Sequence, residues 1–264
     1  MIIDFHTHCF NDFLAPRAMK SLAAKSLYPP HYDGTLSGLK ASMSEAGIDI
    51  SVILNIATAP HQCEKVNNWA IASNKEEGII SFGSLHPDFE NWKSELKRLK
   101  DAGVKGIKFH PDFQGFFVGD KKAYEMYEKI AENDLITVFH CGHDLVPRKE
   151  YMCEPKAFAR VVRDFAGAKI VGAHLGGQDM WDEVFKYVAP LDVYVDTSFG
   201  FKFLSSEEIN RFIELHGEDK ILFGTDTPWQ KQAVEVAEMR SFINDKRLLE
   251  KIFSKNAKTL LGIK

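Results

Sequence analysis

An α/β chain closed into a (β/α)8 barrel of the TIM type is the fold class this sequence predicts. Three observations predict it. Short apolar or β-branched runs alternate with longer amphipathic stretches along the whole chain, and eight such runs occur. Strands that alternate with helices imply right-handed βαβ units and a parallel sheet. The length of 264 residues, 45% hydrophobic, suits one large barrel. An open, doubly wound sheet would call for a Gly-rich phosphate loop after an early strand, and the sequence carries none. No composition shift, low-complexity segment or short-period repeat marks a boundary, so residues 1–264 read as one domain.

The eight runs, in order, are IIDFHTH from Ile2, DISVILNIA from Asp49, IISFGSLHP from Ile79, VKGIKFHP from Val104, LITVFHCG from Leu135, KIVGAHLGG from Lys169, VYVDTSFG from Val193 and ILFGTDTPW from Ile221. Helical patterns lie between them. In NWKSELKRLKDAG, Trp92, Leu96 and Leu99 recur at helical spacing and Gly103 ends the helix. SSEEINRFIELHG opens on a Ser205-x-x-Glu208 cap and closes at Gly217. NDKRLLEKIFSKNAKTLL reads as a final helix. The connections after the first and fifth strands are longer than such loops usually are. The first should hold a short helix in APRAMKSLAAKSL.

Composition removes several function classes. The formal net charge of -4 argues against a general affinity for nucleic acid or acidic membrane. No apolar run reaches the roughly 20 residues of a membrane span. The N-terminus lacks a basic region followed by an apolar stretch. Four cysteines, Cys9, Cys63, Cys141 and Cys153, are too few for a disulfide framework in a chain of this length. A cytoplasmic protein with reduced thiols is expected.

The chemistry lies in the histidines, of which there are ten. Six fall at the C-terminal ends of predicted strands: His6 and His8 on the first, His86 on the third, His110 on the fourth, His140 on the fifth and His174 on the sixth. Asp226 holds the same place on the eighth. In a parallel barrel these ends converge on one mouth. Strand side chains alternate in direction, so His6 and His8 share a face and can grip one ion. Imidazoles with one carboxylate suit Zn2+ first, and Mn2+, Fe2+ or Co2+ as alternatives. His86 and His110 are each followed by Pro, and an ordinary strand-ending turn explains them equally well. Cys9 and Cys141 should point away from the metal. Asp196 suits a hydrogen bond to a ligand histidine, and Ser198 could face the mouth. His31, His61 and His216 are read as surface or loop residues.

Five motifs in order, DFHTH, GIKFHP, FHCG, GAHLGG and FGTDTPW, give the whole chain a resemblance to the amidohydrolase superfamily. It is similar to the amidohydrolase-related branch that includes aminocarboxymuconate-semialdehyde decarboxylase, though shorter than such decarboxylases. The resemblance implies that His6, His8, His140 and Asp226 ligate a main metal. It makes His174 either a ligand to a second metal or a catalytic group. Lys108 sits where some members carry a carboxylated lysine bridging two metals; otherwise it pairs with a substrate carboxylate or with Asp226. Lys108, His174 and His110 are thus the candidates for a second metal or for substrate, with one ion favoured over two.

Chemistry then points to a metal-dependent hydrolase. A metal lowers the pKa of bound water from 15.7 to about 7. Asp226 can take the water proton and pass it to the leaving group, while His174 stabilises the oxyanion. An amide, ester or lactone of a small molecule is the expected substrate. A non-oxidative decarboxylase of a small carboxylic acid is the alternative. A nuclease would need a basic stripe with stacking aromatics, which is missing, and a non-catalytic metal-binding protein would not need both His174 and Asp226. Arg17, Lys20, Lys25, Arg148, Lys149 and His143 on the long loops favour an anionic substrate. Phe113, Phe116, Phe117, Phe199, Phe201, Phe203 and Trp229 follow strands and could wall an apolar pocket or form a dimer contact. His143, Arg148 and Trp229 are the substrate-binding candidates, and a homodimer is the expected partner arrangement.

Overall fold

All eight expected strands form, in the expected order. In the computed structural model, which describes residues 1–264, they are β1 (Ile3–Thr7), β2 (Ile50–Leu54), β3 (Ile79–Ser84), β4 (Gly106–Phe109), β5 (Ile136–Phe139), β6 (Ile170–Gly172), β7 (Tyr194–Asp196) and β8 (Ile221–Leu222). Each pairs in parallel with its neighbours in sequence. The chain beyond β8 runs alongside β1 in the same direction. Phe5 N donates to Phe223 O at 2.8 Å, Asp226 N donates to His6 O at 2.8 Å, and Thr7 bridges Thr227. The result is a (β/α)8 barrel. Its register sets Lys108 beside Val138, Phe109 beside Phe139 and Phe139 beside Gly172. The residues that follow these strands therefore emerge at one level.

Two apolar layers hold the barrel. Inside, Ile3, Phe5, Val52, Leu54, Phe82, Ile136, Val138, Val171 and Leu222 pack together, and Ala257, Leu260 and Leu261 of the last helix close one end. Phe5 meets Phe82 edge to face at 5.9 Å. Outside, the alternate strand residues, such as Ile53, Ile107, Phe109 and Val195, pack against the surrounding helices. Cys9, Cys63, Cys141 and Cys153 are all buried free thiols, and Cys141 turns outward to Cys153 at 3.5 Å.

Simple alternation does not survive on β1. Phe5 belongs to the inner layer, so His6 would be expected to point outward. A register shift between Asp4 and Thr7 intervenes, and a bulge of this kind re-aims side chains. Asp4 faces the helix Gln232–Phe242, while His6 turns into the mouth. The Asp4 carboxylate accepts from His6 N, Thr225 N, Thr225 Oγ1 and Gln232 Nε2 at 2.6–3.2 Å. It is fully buried.

The expected helices are present at Trp92–Asp101 and Ser206–His216, the latter with the Ser205–Glu208 capping box complete. The short helix in the first long loop spans Ala15–Ala23. The final helix differs from expectation. It runs Lys246–Glu250, widens into a π turn over Lys251–Lys255, and resumes as Asn256–Leu261. There the buried Asn256 side chain ties the helix to the barrel, donating to Glu218 O at 2.7 Å and Ile221 O at 2.8 Å. His216 is also not a free surface residue. It is half-buried, stacks on Phe212 and bonds Ala189 O at 3.1 Å. No helix is long and apolar enough to cross a membrane.

Asp4→Asn would place an amide N–H2 among four donors. We expect a loss of about 1.5–3 kcal/mol of unfolding free energy in urea titrations, with an unchanged far-UV circular dichroism spectrum.

Candidate metal centre and active site

The strand ends bring five side chains to one point. His6 Nε2 lies 3.2 Å from His8 Nε2 and 3.4 Å from Asp226 Oδ1, and His8 Nε2 lies 2.9 Å from the same oxygen. His174 Nε2 lies 3.1 Å from His140 Nδ1. The ligand atoms of His6, His174 and Asp226 are all within 4.8 Å of one another, which joins the two groups.

The other nitrogen of each ring decides what these contacts are. His6 Nδ1 faces Asp196 Oδ2 at 2.9 Å, His8 Nδ1 faces Leu54 O at 2.9 Å, His140 Nε2 faces His143 O at 3.0 Å and His174 Nδ1 faces Ser198 O at 3.0 Å. A carbonyl or carboxylate oxygen can only accept, so each of these nitrogens carries the proton. A neutral imidazole has one N–H, so the opposite nitrogen presents a lone pair. Burial lowers the pKa of His6 to about 4, and it pushes His140 and His174 down as well. These three rings are therefore neutral at pH 7. The lone pairs of His6, His140 and His174 then face one another and the Asp226 carboxylate, while His8 Nε2 lies against the same carboxylate oxygen. That arrangement repels unless a cation sits among the atoms. Their spacing fits one too. Ligands about 2.0–2.1 Å from a tetrahedral ion lie roughly 3.3 Å apart. These residues can hold a metal.

Asp196 organises the site from behind. Its Oδ2 holds His6, and its Oδ1 accepts from His174 N and Ser198 N, each at 3.1 Å, and from the Ser198 hydroxyl. Burial raises its pKa, but His6, His174 and Ser198 outweigh this and leave it below the usual carboxylate range. Asp226 is likewise kept ionised against its burial by His6 and His8. His174, Phe199 and Asp226 adopt left-handed backbone, with φ of 58°, 49° and 59°. Such residues carry strain of order 1–3 kcal/mol each and gather where geometry is set for function.

Lys108 lies inside the barrel, 1% exposed, and its Nζ has no hydrogen-bond partner. Burial pulls its pKa down, against the upward pull of Asp196 and Asp226. His110 forms part of a stack beside the centre. Its ring lies 4.0 Å from that of His140 and 4.0 Å from that of Phe113, and the Arg148 guanidinium covers Phe113 at 5.3 Å. His110 Nδ1 accepts from Phe113 N at 3.4 Å, and His86 Nδ1 accepts from Asp88 N at 3.1 Å, as turn residues do. A second set of candidate ligands, His110, His140 and Asp144, also falls within 4.8 Å. There, however, the His140 nitrogen that faces away from His174 is already donating to His143 O.

The two long loops meet above the mouth. Met19, Leu145, Phe199 and Trp229 form a small apolar cluster, joined by Phe10, Leu22 and Tyr28. Leu27 N donates to Leu145 O at 3.1 Å. Trp229 is thus largely buried in loop packing. Beside this cluster is a cavity of about 220 Å³, walled by both loops and by the segments after β6 and β7. His143 lines it; Arg148, Arg17, Lys20, Lys25 and Lys149 do not. Phe116 and Phe201 belong to the outer core, and Phe203 alone of the expected phenylalanines borders the cavity. Gln114 has no signal in the sequence beyond its nearness to His110. Its side chain accepts from His110 N and donates to Ala57 O and Leu85 O, pinning the ends of three strands.

With this fold and this ligand set, the chain matches the amidohydrolase family model over residues 3–263, and it belongs to that family. It is similar in structure to a 5-carboxyvanillate decarboxylase from Sphingomonas paucimobilis, at 15% identity and a TM-score of 0.75, covering 100% of this chain and 99% of that one. A probable 2-pyrone-4,6-dicarboxylic acid hydrolase from Acinetobacter baumannii gives 14% identity, a TM-score of 0.69 and 99% coverage of both chains. A dihydroxybenzoic acid decarboxylase from Polaromonas sp. JS666, with bound manganese and an inhibitor, gives 13%, 0.73, and coverage of 99% of this chain and 96% of that one. Likeness at this identity speaks to the fold alone. No curated protein sequence matches the chain.

Removing the Asp196 carboxylate should loosen His6 without touching the ligand atoms. We expect Asp196→Ala to weaken Zn2+ binding about 10–100-fold in chelator competition. Asp196→Asn should lose less, since its amide oxygen still accepts from His6 Nδ1.

Proposed function

We propose that the protein is a metal-dependent hydrolase acting on an amide, ester or lactone bond of a small molecule. The observation that carries this reading is the meeting of the side chains of His6, His8, His140, His174 and Asp226 at the barrel mouth. Zn2+ suits this nitrogen-rich set first, with Mn2+, Fe2+ or Co2+ as alternatives, and one ion is favoured. When bound, the ion would polarise a substrate carbonyl and make water a better nucleophile at neutral pH.

The chain's own groups supply the rest. Asp226, ionised in the mouth, accepts a proton from the attacking water and returns it to the leaving group. His174 spends its Nδ1 proton on Ser198 O and is held by the Asp196-anchored backbone, so its bare Nε2 stays aimed at the centre as a ligand and not as a donor to an oxyanion. Lys108 is the one cation inside the barrel without a hydrogen-bond partner, and it is the group available to an anionic part of the substrate. Cytoplasmic location and a homodimer remain part of the proposal.

Decarboxylation of a small carboxylic acid is the second reading. It is favoured by the decarboxylases among the similar structures. The two are separated by products. Turnover of small esters, lactones or amides, without release of carbon dioxide from aromatic or unsaturated acids, supports the hydrolase. The reverse pattern overturns it.

Metal content by elemental analysis, on protein purified without chelator, tests the common basis. About one ion per chain, unchanged in Lys108→Ala, is expected. Two ions falling to one in the variant would assign Lys108 to a bridge between them. No metal, and no uptake of added Zn2+ or Mn2+, would overturn the proposal. Asp226→Asn should lower kcat by about 10²–10⁴-fold on whichever substrate is found.

A further inference from the structure

The cavity beside the metal centre has a definite chemical character. Four aromatic side chains border it: Tyr28 from the first long loop, Tyr151 from the second, Trp181 after β6 and Phe203 after β7. Two carboxylates border it as well, Asp144 and Asp179, and no lysine or arginine does. Asp144 is 6% exposed, and its Oδ2 makes no hydrogen bond. The nearest cation, Arg148, stops at 3.9 Å with its Nε also unbonded. That one guanidinium serves Asp112 too, another buried carboxylate with an unbonded oxygen. Asp179 pairs only with His143, at 3.0 Å, whose ring lies flat on Tyr151 at 4.2 Å. Gln178, also on the cavity wall, has a buried amide oxygen with no donor. Two carboxylates on the wall and one guanidinium behind it leave a formal excess of one negative charge around an aromatic-walled space once Asp144, which burial pushes up to about 7, has ionised. Aromatic faces attract cations through their ring quadrupoles, and buried acceptors without donors favour a ligand that brings N–H groups.

We propose that this cavity receives an organic ammonium group, carried on the end of the substrate remote from the bond that reacts. The assignment to substrate rests on the reading of the barrel mouth as the reaction site; the capture of an ammonium group does not. The walls of the cavity come from four different loops, and Asp144 and His143 stand three to four residues beyond His140. His143, on the cavity wall, takes the His140 Nε2 proton at 3.0 Å, so the cavity adjoins the candidate metal centre through one hydrogen bond. The loop cations that would favour an anion are spent elsewhere: Arg148 on Asp112 and Asp144, and Arg17, Lys20, Lys25 and Lys149 in solvent.

Three probes of one size and different charge test this: benzylammonium, benzyl alcohol and benzoate. Calorimetric titration at pH 8, on the full chain with and without added Zn2+, should show benzylammonium binding at least about tenfold more tightly than benzyl alcohol in both forms. Asp144→Asn should abolish that preference, and Asp179→Asn, at an exposed position, should reduce it. Phe203→Ala should weaken the ammonium and the alcohol alike. Equal or tighter binding of the alcohol, tighter binding of benzoate to metal-free protein, or a preference that survives both aspartate substitutions would overturn the proposal. Because the metal-free protein is measured separately, failure of the metal reading leaves this result standing, and the converse holds.

Discussion

Four hydrogen bonds converge on the Asp196 carboxylate, which has no exposed surface. They reach β1 through His6, the end of β6 through His174, and the turn after β7 through Ser198. A buried carboxylate without partners would be costly, and one with partners on three strands cannot move without breaking several bonds at once. The orientation of His6 and the backbone of His174 follow from it. So does the proton on His6 Nδ1, because Asp196 can only accept. The bulge in β1 and the left-handed backbone at His174 are the local distortions that let these groups reach it.

The same logic extends around the ring of ligands. Leu54 O, His143 O and Ser198 O each take a proton from one imidazole, and in His140 and His174 this leaves the other nitrogen bare. The barrel thereby builds a centre from mutually repelling acceptors, held in place by donors spent on the outside. Stacking adds a second restraint. Arg148, Phe113 and His110 form a column that ends on His140 and fixes the plane of its ring. Lys108 brings positive charge into the barrel, close enough to Asp196 and Asp226 to oppose their burial.

The loops divide the mouth into two environments. Met19, Leu145, Phe199 and Trp229 make a dry cluster that joins the first and second long loops over the strands. The cavity beside it is half aromatic and half polar, with its carboxylates poorly matched by cations. The side chains that can hold a metal thus lie at the strand ends, and the cavity is walled by the loops.

Most of the architecture was legible in the residues. Eight apolar runs with helical stretches between them specify parallel strands, because only that arrangement buries both faces of each strand. The same runs end in His6, His8, His140 and His174, and the fold of the barrel makes their convergence unavoidable. The outward turn of Cys141 followed from strand alternation, and Asp196 was legible as a hydrogen-bond partner for a histidine from its place at the end of β7. Alternation failed on β1, where Phe5 and His6 both face inward, because a bulge depends on how β1 meets β2 and not on β1 itself. The final helix likewise broke into a π turn, where Asn256 reaches Glu218 O and Ile221 O, partners more than 30 residues away. The three backbone carbonyls that set the histidine tautomers carry no side-chain signature, so no reading of residue types could name them. Spacing along the chain determined the strands and which histidines stand at their ends. Only packing in three dimensions decided which nitrogen of each ring faces the centre, and which loop groups, Asp144, Gln178 and Trp181 among them, share one cavity.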